Sequence, residues 1–322
     1  MRYYRIEIDG GSTVFTSFDR GQNLPGALQV ELDIPVAPMH SPANAGAFVK
    51  VWGIPLSMIS QAKNLTGKKI KVYGGFQKGL PLANPKQAGL LVQGYIFQAF
   101  GNWLGTDMSL DLVITVGAPP AQDAPPNPPK NLSLDWKKGQ TLDGAIKSTL
   151  TTGYPGFTVN VQTLNGNLVA PEDSPGIYTG ARSLAEFLFA ASKSIINKPD
   201  YQGVQIAFDG NTINVYDQPN TTPKAIDFVD LIGQPTWIQA PSIAFKCAMR
   251  ADIVLNDTVT MPKTLITNSA QAQSSLINQS VTQQGTFVIS SIHHFGNFRQ
   301  RDAYSWVTEF NAFPTKTTGG TS

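Results

Sequence analysis

The feature that most limits how this chain can fold is a proline run near its middle, APPAQDAPPNPPKN, Ala118–Asn131. Six of these fourteen residues are proline. Proline locks φ and has no N–H to donate, so neither a helix nor a central strand can cross the run. It therefore reads as a semi-rigid, extended linker over 119–130, with folded parts on either side. At 322 residues the chain is in any case too long for one small core.

Before the linker the hydrophobic period is close to two, which is a strand signal. RYYRIEID (Arg2–Asp9), ALQVELDIP (Ala27–Pro35), AFVKVWGI (Ala47–Ile54) and KKIKVYGGF (Lys68–Phe76) read as strands. A long pair closes the region, Gly89–Trp103 and Thr106–Gly117. Gly94 inside the first of these suggests a kink or bulge. One short helix interrupts, Ile54–Asn64, with Pro55 in its first turn and Ile54, Met58, Ile59 and Ala62 along one face. Residues 1–118 thus fit a small barrel or sandwich.

After the linker the pattern changes. Leu142, Ala145, Ile146 and Leu150 make a helical face behind Thr141 as an N-cap. Phe157–Thr163 reads as a strand. Arg182–Asn197 is the strongest helix, with Ser183 and Glu186 spaced as a capping box. Gly203–Asp217 alternates around Asp209-Gly210-Asn211, as a hairpin does. Residues 131–232 therefore form a small α+β insert. Strands return over 233–316 and end in Gly285–Phe295 and Ala303–Phe313. Thr264–Gln284 is a polar loop, and 317–322 is a flexible tail. The fold class is mainly β with an α+β insert.

Composition excludes several classes. Charged residues are only 14% and net charge is +2, which fits neither a disordered chain nor a strongly basic nucleic-acid binder. The single cysteine, Cys247, cannot make an intrachain disulfide, and no Cys/His set suits structural zinc. No apolar run has the length of a membrane span, and no signal-peptide pattern is present, so no membrane anchor and synthesis in the cytoplasm are expected. No phosphate-cradling loop, nucleophile elbow or His-Glu-x-x-His stretch occurs. Asp227 with Asp230, and Glu172 with Asp173, are carboxylate pairs of a commonplace spacing. No catalytic residue, cofactor site or metal site is assigned.

His293 and His294 stand side by side, which would put their side chains on opposite faces of a strand and unable to share a metal. Their surroundings are more informative. Phe100-Gly101-Asn102-Trp103 matches Phe295-Gly296-Asn297-Phe298. Each stretch follows one long strand and precedes another, and each ends a β region. An internal duplication of a terminal hairpin is the simplest reading. Arg299, Arg301 and Asp302 fall at the tip of the second copy.

Two related β regions flanking an α+β insert, with a trailing SWVTEF strand, resemble the baseplate hub proteins of contractile-tail bacteriophages. The resemblance covers nearly the whole chain. It rests on VWGIPLSMISQAKNLTGKKIKVYGGF and QAGLLVQGYIFQAF, on DWKKGQTLDGAIKSTL, GYPGFTVNV and YQGVQIAFDGNTINVYD, and on PSIAFKCAMRADIVLNDTVTMP and HHFGNFRQRDAYSWVTEF. It implies two tail-tube-like β-barrels per chain, over 1–118 and 233–316. It implies a homotrimer whose ring presents pseudo-sixfold symmetry to a hexameric tail tube protein and threefold symmetry to a spike protein. Other baseplate proteins and the tape measure protein are further partners. DNA would only pass through the lumen. The location implied is the virion tail baseplate, assembled in the host cytoplasm. Phe100, Trp103, Phe295, Phe298, Arg299, Arg301 and Trp306 are the interface candidates. Such a hub is not an enzyme and is expected to hold no small-molecule pocket. The alternatives are a neighbouring tail protein (a distal tail or spike-attachment protein), a tail-borne cell-wall hydrolase using a carboxylate pair, and a carbohydrate binder using Trp136 or Trp237.

Overall fold

The computed structural model describes residues 1–44, 46–78, 84–116, 131–162, 164–198, 201–209, 211–239, 242–262, 285–302 and 304–315. The proline-rich linker, the Thr264–Gln284 loop and the 317–322 tail lie outside the described residues.

In the first β region, β1 (Arg2–Ile8) is followed by β2 (Thr13–Thr16), the short pair β3 (Phe18–Asp19) and β4 (Gln22–Asn23), then β5 (Val30–Val36) and β6 (Ala47–Trp52). Helix α1 (Leu56–Ser60) leads into β7 (Lys69–Phe76), β8 (Gly89–Leu104) and β9 (Asp107–Thr115). The insert has β10 (Leu132–Trp136), α2 (Leu142–Gly153), β11 (Thr158–Val161), β12 (Ser174–Tyr178), α3 (Ala181–Ile196), β13 (Gln205–Asp209) and β14 (Thr212–Tyr216). Strand β15 (Lys224–Ala225) comes late in the 131–232 span. The second β region has β16 (Thr236–Gln239), β17 (Ser242–Ala248), β18 (Thr258–Thr260), β19 (Thr286–Asn297) and β20 (Trp306–Pro314), and β15 pairs with its β18.

Both β regions share a single sheet of thirteen strands, whose main path runs β16-β17-β20-β19-β5-β6-β9-β8-β7-β1-β2. The described strands do not close either region into a barrel. Strand β5 pairs on one side with β6 of its own region and on the other with β19 of the second. Alternation accounts for the strands themselves: in β6 and β5 every second residue is buried, so one face meets the core and the other stays open. Three cores result. The first is built from 1–116 and also takes Met249 and Trp306 from the second β region. The second lies inside the insert. The third lies under β17, β19 and β20, and Val36 touches both it and the first.

Several local expectations are corrected. The helix foreseen over Ile54–Asn64 is split into α1 and a separate 3-10 turn, Ala62–Leu65, because Gln61 leaves the helical conformation. Gly94 marks a close backbone approach, since a Cβ there would collide with the Thr115 carbonyl; the register shifts of β8 flank it, between Leu90 and Val92 against β7 and between Ile96 and Gln98 against β9. The capping box at α3 does not form. Gly180 is the N-cap, Ser183 donates to the Gly180 carbonyl (3.1 Å), and Glu186 pairs with Arg182 instead. Trp136 is buried in the insert core, its indole N–H donating to the Gln140 carbonyl at 2.9 Å, so it offers no surface for sugar stacking.

Candidate functional site

The site is the joint between the two β regions and the sheet face that runs across it. Ile292–Asn297 of β19 pairs antiparallel with Val36–Glu31 of β5. The tip of the β19–β20 hairpin is then tied down residue by residue. The Phe298 N–H donates to the Val30 carbonyl (2.8 Å). Arg2 reaches across to the carbonyls of Asn297 (2.7 Å), Phe298 (3.3 Å), Gln300 and Asp302 (2.9 Å). Arg299 donates to the Ala27 carbonyl, and Gln29 bridges Asn297 and the Arg299 N–H. The Phe298 ring packs edge-on against Tyr4 at 4.9 Å and against Trp306 at 5.9 Å. Trp306 is buried, and its indole N–H donates to the Gly75 carbonyl at 2.8 Å.

Residues directly opposite one another on neighbouring strands share a face. One row across the joint therefore reads Asn297, Glu31, Lys50, Asp111, Phe100, and the next reads Phe295, Asp33, Phe48, Val113, Gln98. The lysines of β6 and β17 on this face are each paired with a carboxylate. Lys50 pairs with Asp111 (3.4 Å) and lies over the Trp52 ring (4.4 Å). The Trp52 indole donates to Glu31 (3.1 Å), His293 meets Asp33 (2.6 Å), and Lys246 pairs with Glu309 (3.1 Å). Helix α1 covers the opposite face of the first hairpin. A Cβ at Gly101 would stand 2.6 Å from the Ile59 carbonyl oxygen, so only glycine allows this contact.

The two histidines do face apart. His293 is half-exposed beside Asp33, whereas His294 is buried against the Thr308 hydroxyl at 2.9 Å. Burial, helped by the charge of His293, lowers its pKa to about 3, so His294 is a neutral packing group. Of the interface candidates, Phe298, Arg299 and Trp306 lie in the joint between the regions. Phe295 faces out from it, and Arg301 is exposed at the hairpin tip. Phe100 and Trp103 sit apart from them, exposed on the β8–β9 hairpin. Sequence reasoning missed Arg2, Gln29 and Asp33. They lie in or beside strands of the first region, some 260 to 300 residues from the groups they hold, and no local pattern marks them.

The acid/base pairs find other uses. Asp230 is buried and held by Arg250 (2.9 Å) and Gln87 (3.0 Å), while Asp227 is exposed. Asp173 accepts from the Lys138 N–H at 2.9 Å, and Glu172 points to solvent. Cys247 is buried, and desolvation pushes its thiol up to about 12. Among the described residues no group of three or more metal-ligating side chains gathers, and no helix is long and apolar enough to cross a membrane. A cavity of about 430 Å³, which the expectation of no pocket did not include, opens where the insert meets both β regions, lined by Val36, Leu91, Phe208, Tyr216, Ile253 and His294. It lies where three separately packed cores meet at a corner that their side chains do not fill.

No protein-family model and no curated protein matches the sequence. Among solved structures, the fold is similar to the 43 kDa tail protein of prophage MuSo2 from Shewanella oneidensis. That match spans 98% of this chain and 97% of the other at 9% identity, with a TM-score of 0.53. A tail protein from Neisseria meningitidis MC58 aligns over 97% of this chain and 96% of its own at 10% identity and a TM-score of 0.48. The Francisella PdpA-VgrG complex aligns over 98% of this chain and 58% of its own at 8% identity and a TM-score of 0.47. The chain thus shares the fold of a prophage tail protein.

Proposed function

We propose that this chain is a structural hub of a phage tail. Three copies form a ring that joins a hexameric tail tube above to a trimeric spike below and lines the DNA passage. The observation that carries this reading is the edge-to-edge joint within one chain, at which the terminal hairpin of the second region pairs with β5 of the first. A hairpin that adds to the edge of a sister region is a device for building a wall from repeated units. Two such regions per chain turn a threefold ring into six similar sheet segments. The first region would span 1–118, the insert 131–232 and the second region 233–316. The fold shared with a prophage tail protein supports the same reading.

The sheet face crossing the joint suits a DNA passage. Around the joint its lysines, Lys50 and Lys246, are each paired with a carboxylate, and Glu31 and Asp33 add negative charge. A wall of free lysines and arginines would hold the phosphate backbone by counterion release, and the paired lysines around the joint do not make such a wall. The chain acts without catalysis in this role.

Light scattering of the purified protein over a range of concentrations tests the ring. The expected mass is near three times 34.7 kDa. A single-chain mass at every concentration, alone and mixed with its tail tube and spike proteins, would overturn the reading. A clearing zone on a peptidoglycan zymogram would favour a tail-borne hydrolase instead.

A further inference from the structure

We propose that the edge of β8 beyond Ile96 pairs, antiparallel, with β16 of a second copy of this chain. The inference deepens the ring reading above and rests on it. It names the two strands that make the contact between copies.

The two regions repeat one strand order. The first reads β5-β6-β9-β8 and the second reads β16-β17-β20-β19, antiparallel throughout. Strand β16 therefore stands where β5 stands, and β8 stands where β19 stands. In the first region the outer edge of β5 is covered by β19. In the second, β16 pairs only with β17, and its outer edge meets no strand among the described residues. Strand β8 pairs with β7 only as far as Tyr95, and Ile96 makes the last backbone bonds, to Gly67 and Lys68. From Phe97 to Leu104 its side away from β9 meets no strand among the described residues. One joint is made within the chain, and neither edge needed for its counterpart pairs with a strand among the described residues.

These edges do not pair within one chain among the described residues: they lie at the two ends of a row of eight strands. The contact is therefore head-to-tail between copies, the heterologous kind that closes a ring when the rotation allows. The apolar tip beside the open edge agrees with this. Phe100, Trp103 and Leu104 are 49%, 64% and 83% exposed, whereas the tip of the second hairpin packs on its neighbour region. A long open edge flanked by exposed apolar residues is a site of association unless something covers it.

The internal joint also sets the register. Superposing the hairpins on the two Phe-Gly-Asn triplets puts Thr236 opposite Gln98. Superposing them on the Lys50–Asp111 and Lys246–Glu309 pairs puts Thr236 opposite Asn102. Both place β16 against Gln98–Asn102.

Cysteine cross-linking tests this directly. Gln98→Cys or Asn102→Cys is combined with Thr236→Cys, all at exposed positions, while the native Cys247 is buried. Directly opposed strand positions are close enough for a disulfide. Under mild oxidation, most of the chain in one of the two double variants should move into covalent multimers on a non-reducing gel. Each single variant should stay at one chain's mass. Cross-linking of Gln98→Cys or Asn102→Cys alone would show two β8 edges paired with each other and would overturn the proposal. So would double variants that stay uncross-linked in protein whose light-scattering mass is that of a trimer, and that outcome leaves the ring reading standing. A single-chain mass with no cross-link under any condition overturns both.

Discussion

The β8–β9 and β19–β20 hairpins share a sequence pattern and a position in their strand order, yet they differ in what holds their tips. At the shared phenylalanine they are alike: Phe100 is 49% exposed and Phe295 is 47% exposed. At the shared glycine both need the missing side chain, but for different neighbours. Gly101 makes room for Ile59 of α1, and Gly296 makes room for the ring of Trp306. Past the triplet they diverge. Trp103 is 64% exposed, its indole bonded only to the Gly105 carbonyl in the same turn. Phe298 lies between Tyr4 and Trp306, and Arg2 gathers the carbonyls around it. The same local pattern thus has a covered form and an open one. What decides is whether another region presents a matching edge.

The largest test of that contrast compares two tryptophans. Trp306→Ala removes a buried ring from the first core and strands the Gly75 carbonyl, so it should destabilise the fold by about 3–5 kcal/mol in urea denaturation. Trp103→Ala removes an exposed ring and should change single-chain stability by under about 0.5 kcal/mol. Comparable losses would mean that the first hairpin tip is packed after all. The next effect is at Arg2. Its guanidinium is the charged donor to four carbonyls of the second hairpin tip, and hydrogen bonds to a charged group are worth roughly 1.5–3 kcal/mol. Arg2→Ala should therefore raise amide exchange over residues 297–302 and leave residues 100–105 unchanged. Equal protection in both hairpins of the variant would break the assignment.

Much of this was legible in the sequence, and the divide follows sequence distance. The long strands, the β13–β14 hairpin and α3 show strong periods of two or 3.6, because each buries one continuous face. The Phe-Gly-Asn repeat located both hairpins. Weaker elements escaped. In β12, Ser174–Tyr178, proline and glycine mask the strand pattern, and it forms only because β10 lies beside it. The β5–β19 joint left no local trace, since backbone pairing is indifferent to side-chain type and its partners are some 260 residues apart. The same indifference explains why two separate barrels were expected and one shared sheet was found.

A third difference between the hairpins is a titrating group. His294 stands where the first hairpin has Ala99, so only the second carries a buried imidazole. Its pKa falls from 6.5 when unfolded to about 3 when folded, because burial disfavours the charged form. Between these values the unfolded state holds the extra proton. The stability gained by keeping His294 neutral is complete above pH 6.5 and is lost as pH falls towards 3. The slope is up to about 1.4 kcal/mol per pH unit. His294→Gln, which can still bond Thr308, should flatten the acid limb of a stability–pH curve relative to the parent protein. An unchanged limb would mean that carboxylates alone set it.

The smallest expected effect separates the two ways of holding a strand edge. His293 and Asp33 are 2.6 Å apart with side chains 43% and 53% exposed, the most conspicuous polar contact across the joint. Exposed ion pairs contribute little, and salt screens them. Asp33→Asn should therefore cost under about 1 kcal/mol, shrinking further at high salt, and the amides of residues 292–297 should stay protected. In that case the joint is held by its backbone ladder and by the packing of Phe298 and Trp306. A ladder needs no particular side chain, so the open edges of β8 and β16 could pair without a counterpart of Asp33. If Asp33→Asn instead released β19 from β5, the joint would depend on this pair. The first hairpin has Gln98 where the second has His293 in the triplet alignment, so the proposed contact between copies would then lose the physical basis it borrows from the joint within the chain.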